Sequence, residues 1–479
     1  SGAGRRVACS SPSELCSACS SRPQPATPAG AGTALNPKHA VPIILFTFVF
    51  SLIIDNGFKF MTDSMGDALD LSLNEVSLQA SLAGVIIGIG AVVYAALADV
   101  FSIRKLLLAG VILTLIGSLI GFLGQNVWPL VLTGRIVQTT GLAAAETLYV
   151  IYVTKHLSDQ DQKTYLGFST AAFQAATLFG ALTSGLLATK VSWTAMFLVP
   201  LVLILAIPVI YKTVPEEASL EAGHVDWIGL GLIAVLATSA ILFMQAFNWL
   251  WLIPLAASVV LFSIHVKNAS RPLVNPEFFR HRPYVTALIL VFIVYSVQLG
   301  YLVLFPAMAK EVHGMSADGA SYLLIPGYTA AIAVGVLSGR IGKVLPTRKA
   351  IFTALGSITV ALLLLAFFME SGPWAFVVSS LLFASGFALL YAPLMATAIG
   401  AIPAAKSDIA IGFYNLTINV AVPLGIAYSA KLVDMGLDTP GFLPSGAGSY
   451  PVVMLILAAI AFGGALLYAA MTARMKQPA

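Results

Sequence analysis

The sequence has 479 residues, of which 58% are hydrophobic and 10% are charged, and its mean hydropathy is +0.92. About a quarter of the residues of a water-soluble domain are charged, so this composition excludes a soluble enzyme. The formal net charge is only +4, and no dense basic run occurs along the chain. The sequence therefore indicates no nucleic-acid partner.

The first segment, residues 1–38, is rich in Ser, Pro, Ala and Gly and poor in large apolar residues. Such a composition cannot bury a core and predicts a disordered tail. All three cysteines, Cys9, Cys16 and Cys19, lie in this tail. Because their Cys-x-x-Cys spacing has no second ligand pair, we expect no metal site there.

Apolar segments of helical length follow one another through the rest of the chain. Roughly 20 apolar residues span a bilayer as a helix, so each segment predicts one crossing. The expected fold class is all-α, a polytopic membrane protein with fourteen transmembrane helices and short loops. The predicted helices lie near residues 40–61, 77–98, 105–124, 127–154, 164–188, 192–211, 227–246, 249–266, 284–309, 318–339, 349–368, 373–400, 409–432 and 450–472.

The distribution of Lys and Arg predicts the orientation of these helices. Most of the 25 cations fall in loops on the side of the two termini, whereas the loops of the opposite side contain only Lys190, Lys310 and Lys431. Cytoplasmic loops carry the excess of positive charge. We therefore expect both termini in the cytoplasm and the acidic loop at 63–75 outside.

Two short motifs point to a known family. The loop between the second and third helices reads Ala-Ala-Leu-Ala-Asp-Val-Phe-Ser-Ile-Arg-Lys and contains Asp99, Arg104 and Lys105. It resembles the Gly-x-Leu-x-Asp-x-x-Gly-x-Arg/Lys-Arg/Lys signature of the major facilitator superfamily. The fourth helix reads Arg-Ile-Val-Gln-Thr-Thr-Gly at 135–141, which is similar to the superfamily's Arg-x-x-Gln-Gly-x-Gly element. The resemblance implies transport by alternating access, with Asp99, Arg104 and Lys105 as gating residues that hold one conformation closed.

Three further stretches resemble the fourteen-helix drug:proton antiporters of this superfamily. In the first helix, Asp55 and Lys59 match the Leu-Asp-x-x-x-x-Asn opening, with Lys in place of Asn. Residues 271–283 and 311–327 resemble the linker and outer loop of the Gram-positive tetracycline and multidrug exporters. The resemblance implies two six-helix bundles, at 39–212 and 284–472, a linker at 213–283 with two additional transmembrane helices, and a short cytoplasmic tail at 473–479.

Two departures from these exporters bear on the substrate. Their fifth-helix motif Gly-Pro-x-x-Gly-Gly reads Gly-Ala-Leu-Thr-Ser-Gly at 180–185, without its proline. Their glutamate of the thirteenth helix is replaced by Val422, which cannot carry a proton. We therefore do not expect tetracycline itself as the substrate.

Four ionisable residues lie inside predicted helices: Asp55, Lys59, Arg135 and Glu146. A charge at the bilayer centre costs about 2.5–3.5 kcal/mol on insertion scales, so such residues are paired or functional. At about 1.5 Å per residue, Asp55 and Arg135 reach similar depths and can pair, and Lys59 shares the helix face of Asp55. Glu146 is placed far from Asp55, near the inner end of its helix.

We expect Asp55 and Glu146 to be successive proton sites, with release from Asp55 when Arg135 or Lys59 approaches. The alternative is a structural Asp55–Lys59 pair, with Glu146 capping its helix or reaching the membrane surface.

Polar and aromatic residues of the helices predict the substrate cavity. Substrates of secondary transporters bind near the midplane, between the repeated halves. Aromatic faces and neutral hydrogen-bonding groups there suit an amphiphilic or aromatic molecule, although Tyr and Asn at such spacing also join helices to one another. The predicted cavity residues are Phe173, Gln174, Tyr295, Gln298, Tyr301, Tyr414, Asn415 and Asn419.

The expected function is proton-coupled export of an amphiphilic or aromatic small molecule by a plasma-membrane antiporter. The sequence has no phosphate-binding glycine loop and no hydrolase motif, so we expect no enzyme activity and no cofactor, with a proton gradient as the driving force. The expected partners are the substrate, protons and the lipid bilayer, and the protein is expected to be a monomer. Two alternatives stay open: transport of a metabolite, siderophore or lipid, and a non-transporting sensor with the same fold.

Overall fold

A computed structural model describes residues 37–98, 101–157, 159–216, 226–269, 277, 280–399, 402 and 407–475. These residues form helices and connecting turns, and they contain no strand. Fourteen helical segments among them are long and apolar enough to cross a membrane. The all-α, fourteen-helix prediction is therefore confirmed, and the protein is a multi-pass membrane protein. The predicted tail lies, up to residue 36, outside the described residues.

The α-helices are numbered in chain order, and some transmembrane segments contain more than one of them. They are α1 (Val41–Phe60), α2 (Thr62–Leu69), α3 (Leu73–Leu97), α4 (Ile103–Leu123), α5 (Trp128–His156), α6 (Asp159–Lys190), α7 (Ala206–Thr213), α8 (Trp227–Ala246), α9 (Leu252–Asn268), α10 (Arg282–His313), α11 (Ala317–Leu323), α12 (Ile325–Val344), α13 (Thr347–Phe368), α14 (Trp374–Ile399), α15 (Ser407–Asp434) and α16 (Tyr450–Met475).

Three details differ from a simple series of fourteen α-helices. The predicted acidic loop contains α2, which ends at Asp70 in a left-handed conformation. The sixth crossing begins with two 3-10 segments, Trp193–Phe197 and Val199–Leu205, before α7. The tenth crossing is divided into α11 and α12, and a proline begins the second piece, where its missing N–H is not needed.

Contacts between helix ends show how the helices alternate in direction. We call the end of the bundle at which α2 lies the α2 face. Asn74, at the start of α3, bonds Gln245, at the end of α8. At the opposite end, the hydroxyl of Tyr152 near the end of α5 donates to the carbonyl of Pro37. Successive crossings thus run in opposite directions, and the first and last described residues lie at the same end.

The helices pack into two halves with separate apolar cores. The core of the first half is built from α1 to α7, and the larger core of the second half is built mainly from α10 to α16. The halves meet where α3 packs against α15 and where α6 packs against α11 and α12. Residues at these contacts can therefore interact with side chains of the other half.

The two central helices lie outside these halves. α8 packs against α3 and α15, and α9 packs against α8. Most residues of α9 are exposed, including Ile253 and Leu261, as expected for a helix surrounded by lipid.

Candidate functional site

The centre of the first half contains a buried carboxylate that contacts two cations. Asp55 of α1 is 3% exposed. Its Oδ2 contacts the ammonium of Lys59, one turn further along α1, and its Oδ1 lies 3.2 Å from Nη2 of Arg135 on α5. The structure thus brings together the three residues that the depth estimate and the helix spacing had associated. Their role in proton coupling stays a prediction.

Arg135 is held by more than its ion pair with Asp55. Its Nε donates to Oε1 of Gln79 at 3.0 Å, its Nη1 donates to Oε1 of Gln138, and its guanidinium lies 4.1 Å from the centre of the Phe58 ring. Guanidinium over an aromatic face is a favourable arrangement. The planar fork of Arg135 is therefore fixed in position by neutral groups as well as by charge.

Gln79 was not among the predicted site residues. It is 1% exposed, and its amide nitrogen donates to the Phe58 carbonyl at 3.1 Å and to the Thr62 hydroxyl at 3.2 Å. Gln79 thereby links α3 to both α1 and Arg135. The only sequence signal was an amide within an apolar helix, which is too common to single out one residue.

Glu146 lies closer to this group than predicted. Its carboxylate, on α5, is near enough to Asp55 and Lys59 for electrostatic interaction with both, so the expectation that it lies far from Asp55 is wrong. That expectation assumed straight helices along the membrane normal, whereas transmembrane helices are commonly tilted. The group therefore contains two carboxylic acids, of which Glu146 is half-buried, and two cations.

Glu146 also faces the second half of the protein. It interacts electrostatically with Tyr391 of α14, which in turn interacts with Tyr295 of α10 and Tyr414 of α15. The Tyr414 hydroxyl is fully buried and has no hydrogen-bond partner among the described residues. We call Tyr295, Tyr391 and Tyr414 the tyrosine cluster. Glu146 of the first half thus lies within electrostatic range of the tyrosine cluster of the second half.

Tyr301 lies elsewhere than predicted. Its side chain is buried in the second half, where its hydroxyl is 3.1 Å from the Ser379 hydroxyl and its ring stacks on Phe383. Tyr295 and Tyr301 are six residues apart, so at 3.6 residues per turn they point to different sides of α10. Tyr301 is therefore a core residue rather than a neighbour of the tyrosine cluster.

The other predicted cavity residues are spread over several helices. Gln174 is 5% exposed, and Phe173, Gln298 and Asn415 are half-buried. Asn419 lies against Gly88 of α3, where an added Cβ would be 2.7 Å from the Asn419 Cβ. Asn419 thus belongs to the contact between α3 and α15. The structure adds Tyr391 to this set.

The predicted gating cations bind a residue that the sequence analysis missed. Arg104 and Lys105 lie 3.2 Å and 2.9 Å from the carboxylate of Glu216, and Arg104 also donates to the Val214 carbonyl at 2.7 Å. Hydrogen bonding and charge from Lys105, with a contribution from Arg104, lower the pKa of Glu216. These contacts join α4 to the segment after α7, within the first half. The third predicted gating residue, Asp99, lies outside the described residues.

Ion pairs between the halves lie on the α2 face. Lys310 of α10 contacts Asp67 of α2 and lies 3.6 Å from Asp63. Lys190 of α6 lies 3.6 Å from Asp318 of α11. We call these contacts the inter-half ion pairs. Within the described part of the chain, they join the halves at the face opposite the first and last described residues.

The surroundings of Asp63 affect its protonation. Burial raises the pKa of Asp63, and the neighbouring charges of Asp67 and Glu311 act in the same direction, whereas Lys310 opposes them. Tyr450 of α16 is also within electrostatic range of this group. The carboxyl group of Asp63 is therefore more readily protonated than an ordinary aspartic acid.

Relatives of known function provide a comparison for this arrangement. The Multidrug resistance protein Stp of Mycobacterium tuberculosis is 27% identical over 354 residues, which cover 70% of this chain and 64% of Stp. This chain thus matches less than two thirds of the length of Stp. The Quinolone resistance protein NorB of Staphylococcus aureus is 22% identical over 448 residues, covering 88% of this chain and 96% of NorB.

Solved structures share the fold at low sequence identity. A variant of the nucleoside transporter NupG has a TM-score of 0.64 and 12% identity, with coverage of 91% of this chain and 100% of NupG. The POT family transporter PepTSo has a TM-score of 0.67 and 13% identity, with coverage of 92% and 99%. The family model of the Major Facilitator Superfamily matches residues 44–426. With two packed halves and two central helices between them in the sequence, the chain belongs to the Major Facilitator Superfamily.

Proposed function

We propose that this protein exports an amphiphilic or aromatic small molecule across the plasma membrane in exchange for protons. The observation that carries the proposal is the juxtaposition of Asp55, Lys59, Arg135 and Glu146 with the tyrosine cluster of the other half. Buried ionisable groups in membrane helices mark ion pathways. Aromatic rings beside them suit the apolar part of a substrate.

In the proposed cycle, the two acids differ in their surroundings. Asp55 contacts two cations and is held ionised in this conformation, whereas Glu146 has no cation within ion-pair distance among the described residues. Glu146 is therefore the acid that takes up a proton here. When the halves move, the contact of Asp55 with Lys59 or Arg135 changes, and Asp55 then binds or releases a proton.

In the proposed cycle, the two ends of the protein open and close in turn. The inter-half ion pairs hold the α2 face closed, which we assign to the outside because few cations lie there. Both termini are then cytoplasmic. In this conformation a substrate enters from the cytoplasm, and its release requires the inter-half ion pairs to separate.

The names of the relatives support a drug-like substrate. Stp is a multidrug resistance protein and NorB is a quinolone resistance protein. A monocationic or neutral aromatic compound fits Glu146 beside three tyrosines better than a dication does, because the second half has no acid in the middle of a predicted membrane span. We propose that the transporter acts as a monomer without a cofactor.

The test is proton flux in proteoliposomes that hold an imposed pH gradient. Tetracyclines, lipophilic cations, quinolones and phenicols are added one at a time to wild type, Asp55→Asn and Asp434→Asn. Asp434 pairs with Lys431 at the end of α15, away from the buried group, and is the matched control. We expect one compound class to release protons from wild type and Asp434→Asn but not from Asp55→Asn. Absence of proton movement with every compound in wild type would contradict drug antiport.

A further inference from the structure

The central helix α8 covers one seam between the two halves. It packs against α3 of the first half and α15 of the second half. At the α2 face its end is fixed to α3, because the Asn74 amide donates to the Gln245 carbonyl at 2.9 Å and the Gln245 amide donates to the Asn74 carbonyl at 2.7 Å. On the other side, α8 meets α15 in an apolar cluster that includes Ile241 and Leu424.

A groove lies where α8 meets the second half. Its volume is about 350 Å³, within the range of roughly 300–1,000 Å³ that is usual for small-molecule sites. Met244 of α8 forms one wall, and Phe292 of α10, Leu424 of α15 and Ile460 of α16 form the others. Leu424 and Met244 also belong to the apolar contact between α8 and α15. The groove is therefore continuous with the interface between α8 and the second half.

The chemistry of the groove restricts what it binds. Its polar side chains are Ser296 and Tyr428, and their hydroxyls lie 3.0 Å apart, within hydrogen-bond distance of each other. The Ser296 hydroxyl also donates to the Ile293 carbonyl at 2.7 Å. These groups are satisfied by protein, so the groove offers hydrocarbon contact rather than hydrogen bonds to a ligand. A charged or strongly polar molecule would lose its hydration there without compensation.

The position of the groove identifies the source of its ligand. All of its lining residues belong to membrane-spanning segments, and the Phe292 side is 38% exposed on the outer surface of the bundle. That surface faces the hydrocarbon of the bilayer, where acyl chains are the most abundant apolar groups. The side chains that line a groove lack packing partners on its open side, and an acyl chain that enters the groove supplies them.

We propose that this groove binds one acyl chain of a membrane phospholipid, held between α8 and helices α10, α15 and α16. Under the proposed function the halves move relative to each other, and the acyl chain then lies at an interface that changes, because α8 is hydrogen-bonded to the first half. The bound lipid fills the groove at that interface and is a constituent of the protein in the membrane.

The test is photolabelling of the full-length protein in liposomes, with a phosphatidylglycerol that carries a diazirine within one acyl chain. Labelled peptides are mapped by mass spectrometry in wild type, Ile460→Trp and Leu466→Trp. Ile460→Trp fills the groove, whereas Leu466 lies on the same helix, is 56% exposed and does not line it. We expect the label on the peptides around Phe292 and Leu424 to fall several-fold in Ile460→Trp and to stay at the wild-type level in Leu466→Trp.

Three outcomes would overturn the proposal: equal labelling in wild type and Ile460→Trp, labelling spread over all helices in proportion to exposure, or a label that excess unlabelled phosphatidylglycerol does not displace. Size-exclusion chromatography verifies folding of each variant. If Ile460→Trp does not fold, Met244→Trp fills the same groove from the opposite wall. The measurement does not depend on transport, so it is independent of the proposed drug antiport.

Discussion

Arg135 and Lys59, the two cations that contact Asp55, are held in different ways. Two amides and an aromatic ring hold its guanidinium in addition to Asp55. It therefore keeps its place whether or not Asp55 carries a proton. Lys59, by contrast, reaches Asp55 through a flexible stem, so its contact is the one more easily exchanged. The fixed cation and the exchangeable cation give Asp55 two distinct partners.

The two tyrosines Tyr391 and Tyr301 lead to opposite expectations. Tyr391→Phe removes a hydroxyl within electrostatic range of Glu146 of the other half, so we expect a raised KM for transport and an unchanged melting temperature. Tyr301→Phe removes the contact with Ser379 inside the second half. It should cost about 0.5–1.5 kcal/mol of stability and leave KM unchanged. Transport kinetics and thermal unfolding of both variants check this, and a raised KM in Tyr301→Phe alone would contradict our assignment.

The sequence predicted the charged residues of the site better than its neutral ones. Asp55 and Arg135 were identified because buried charge is costly and rare in membrane helices. Gln79 and Tyr391 were missed, since neutral polar residues are tolerated in many membrane helices and their partners lie far away in the sequence. Tyr301 was misplaced because three-residue spacing drifts around a helix, so that only Tyr295 reaches the cluster.

At the scale of helices, the pairing of α10 with α15 depends on very close approach. A Cβ added to Gly425 of α15 would lie 1.5 Å from the Ser296 carbonyl oxygen of α10, so only glycine permits this spacing. Small residues let membrane helices approach in this way. α10 and α15 carry Tyr295 and Tyr414, and their spacing therefore positions part of the tyrosine cluster.

Gly425→Ala should force α10 and α15 apart. We expect it to destabilise the protein by about 1–3 kcal/mol, the usual cost of overpacking, and to lower the transport rate. Gly463→Ala on α16 is the control, because nothing lies within 4 Å of its added Cβ. Thermal unfolding in detergent compares the two variants. Similar melting temperatures would mean that the helices tolerate the extra carbon.

The number of crossings was predictable because a span needs a long apolar run, which the sequence displays directly. The sequence did not predict the 3-10 start of the sixth crossing or the helix α2. Both depend on local turns and on contacts with other helices. The contact of the central helix α8 with both halves could not be predicted either, because an apolar sequence does not indicate which helices pack against each other.

At the scale of the whole molecule, the cations of the α2 face differ in whether their ion-pair partner lies in the other half. Lys310 and Lys190 reach across to the other half, whereas Lys431 lies near Asp434 on its own helix. A side that is poor in cations thus uses two of them to join the halves. Beside the packing of α6 on α11 and of α2 on α10, these ion pairs are the charged contacts at this face that the proposed cycle requires to separate.

Removing Lys310 should favour opening of the α2 face. In a protein whose three native cysteines are replaced by serine, spin labels at Ala68→Cys and Met435→Cys report the distance between the halves. We expect Lys310→Met to shift the distribution to longer distances and Lys431→Met to leave it unchanged. The exchange Lys310→Asp with Asp67→Lys should restore the wild-type distribution. Identical distributions in Lys310→Met and wild type would contradict a role in closure.

The raised pKa of Asp63 predicts how acidity acts on this face. Burial in the closed conformation raises the pKa of Asp63 more than its contact with Lys310 lowers it, so protonation favours closure even though it weakens that one contact. As the pH falls through that raised pKa, above the ordinary value of 3.8, we expect the same labels to move closer together. Asp63→Asn should be closed throughout this range, whereas the control Asp434→Asn should respond like wild type. Asp67, Lys310, Glu311 and Tyr450 surround Asp63 in every variant.

The exposed position of α9 has an evolutionary consequence. α9 packs on α8 and the short turn before it, and lipid surrounds the rest of its surface. Selection on α9 therefore acts on its hydrophobicity rather than on the shape of individual side chains. We therefore expect exchanges among Leu, Ile, Val and Phe in α9 to be nearly neutral, and we expect this helix to vary more among relatives than α3 or α15 while it stays apolar.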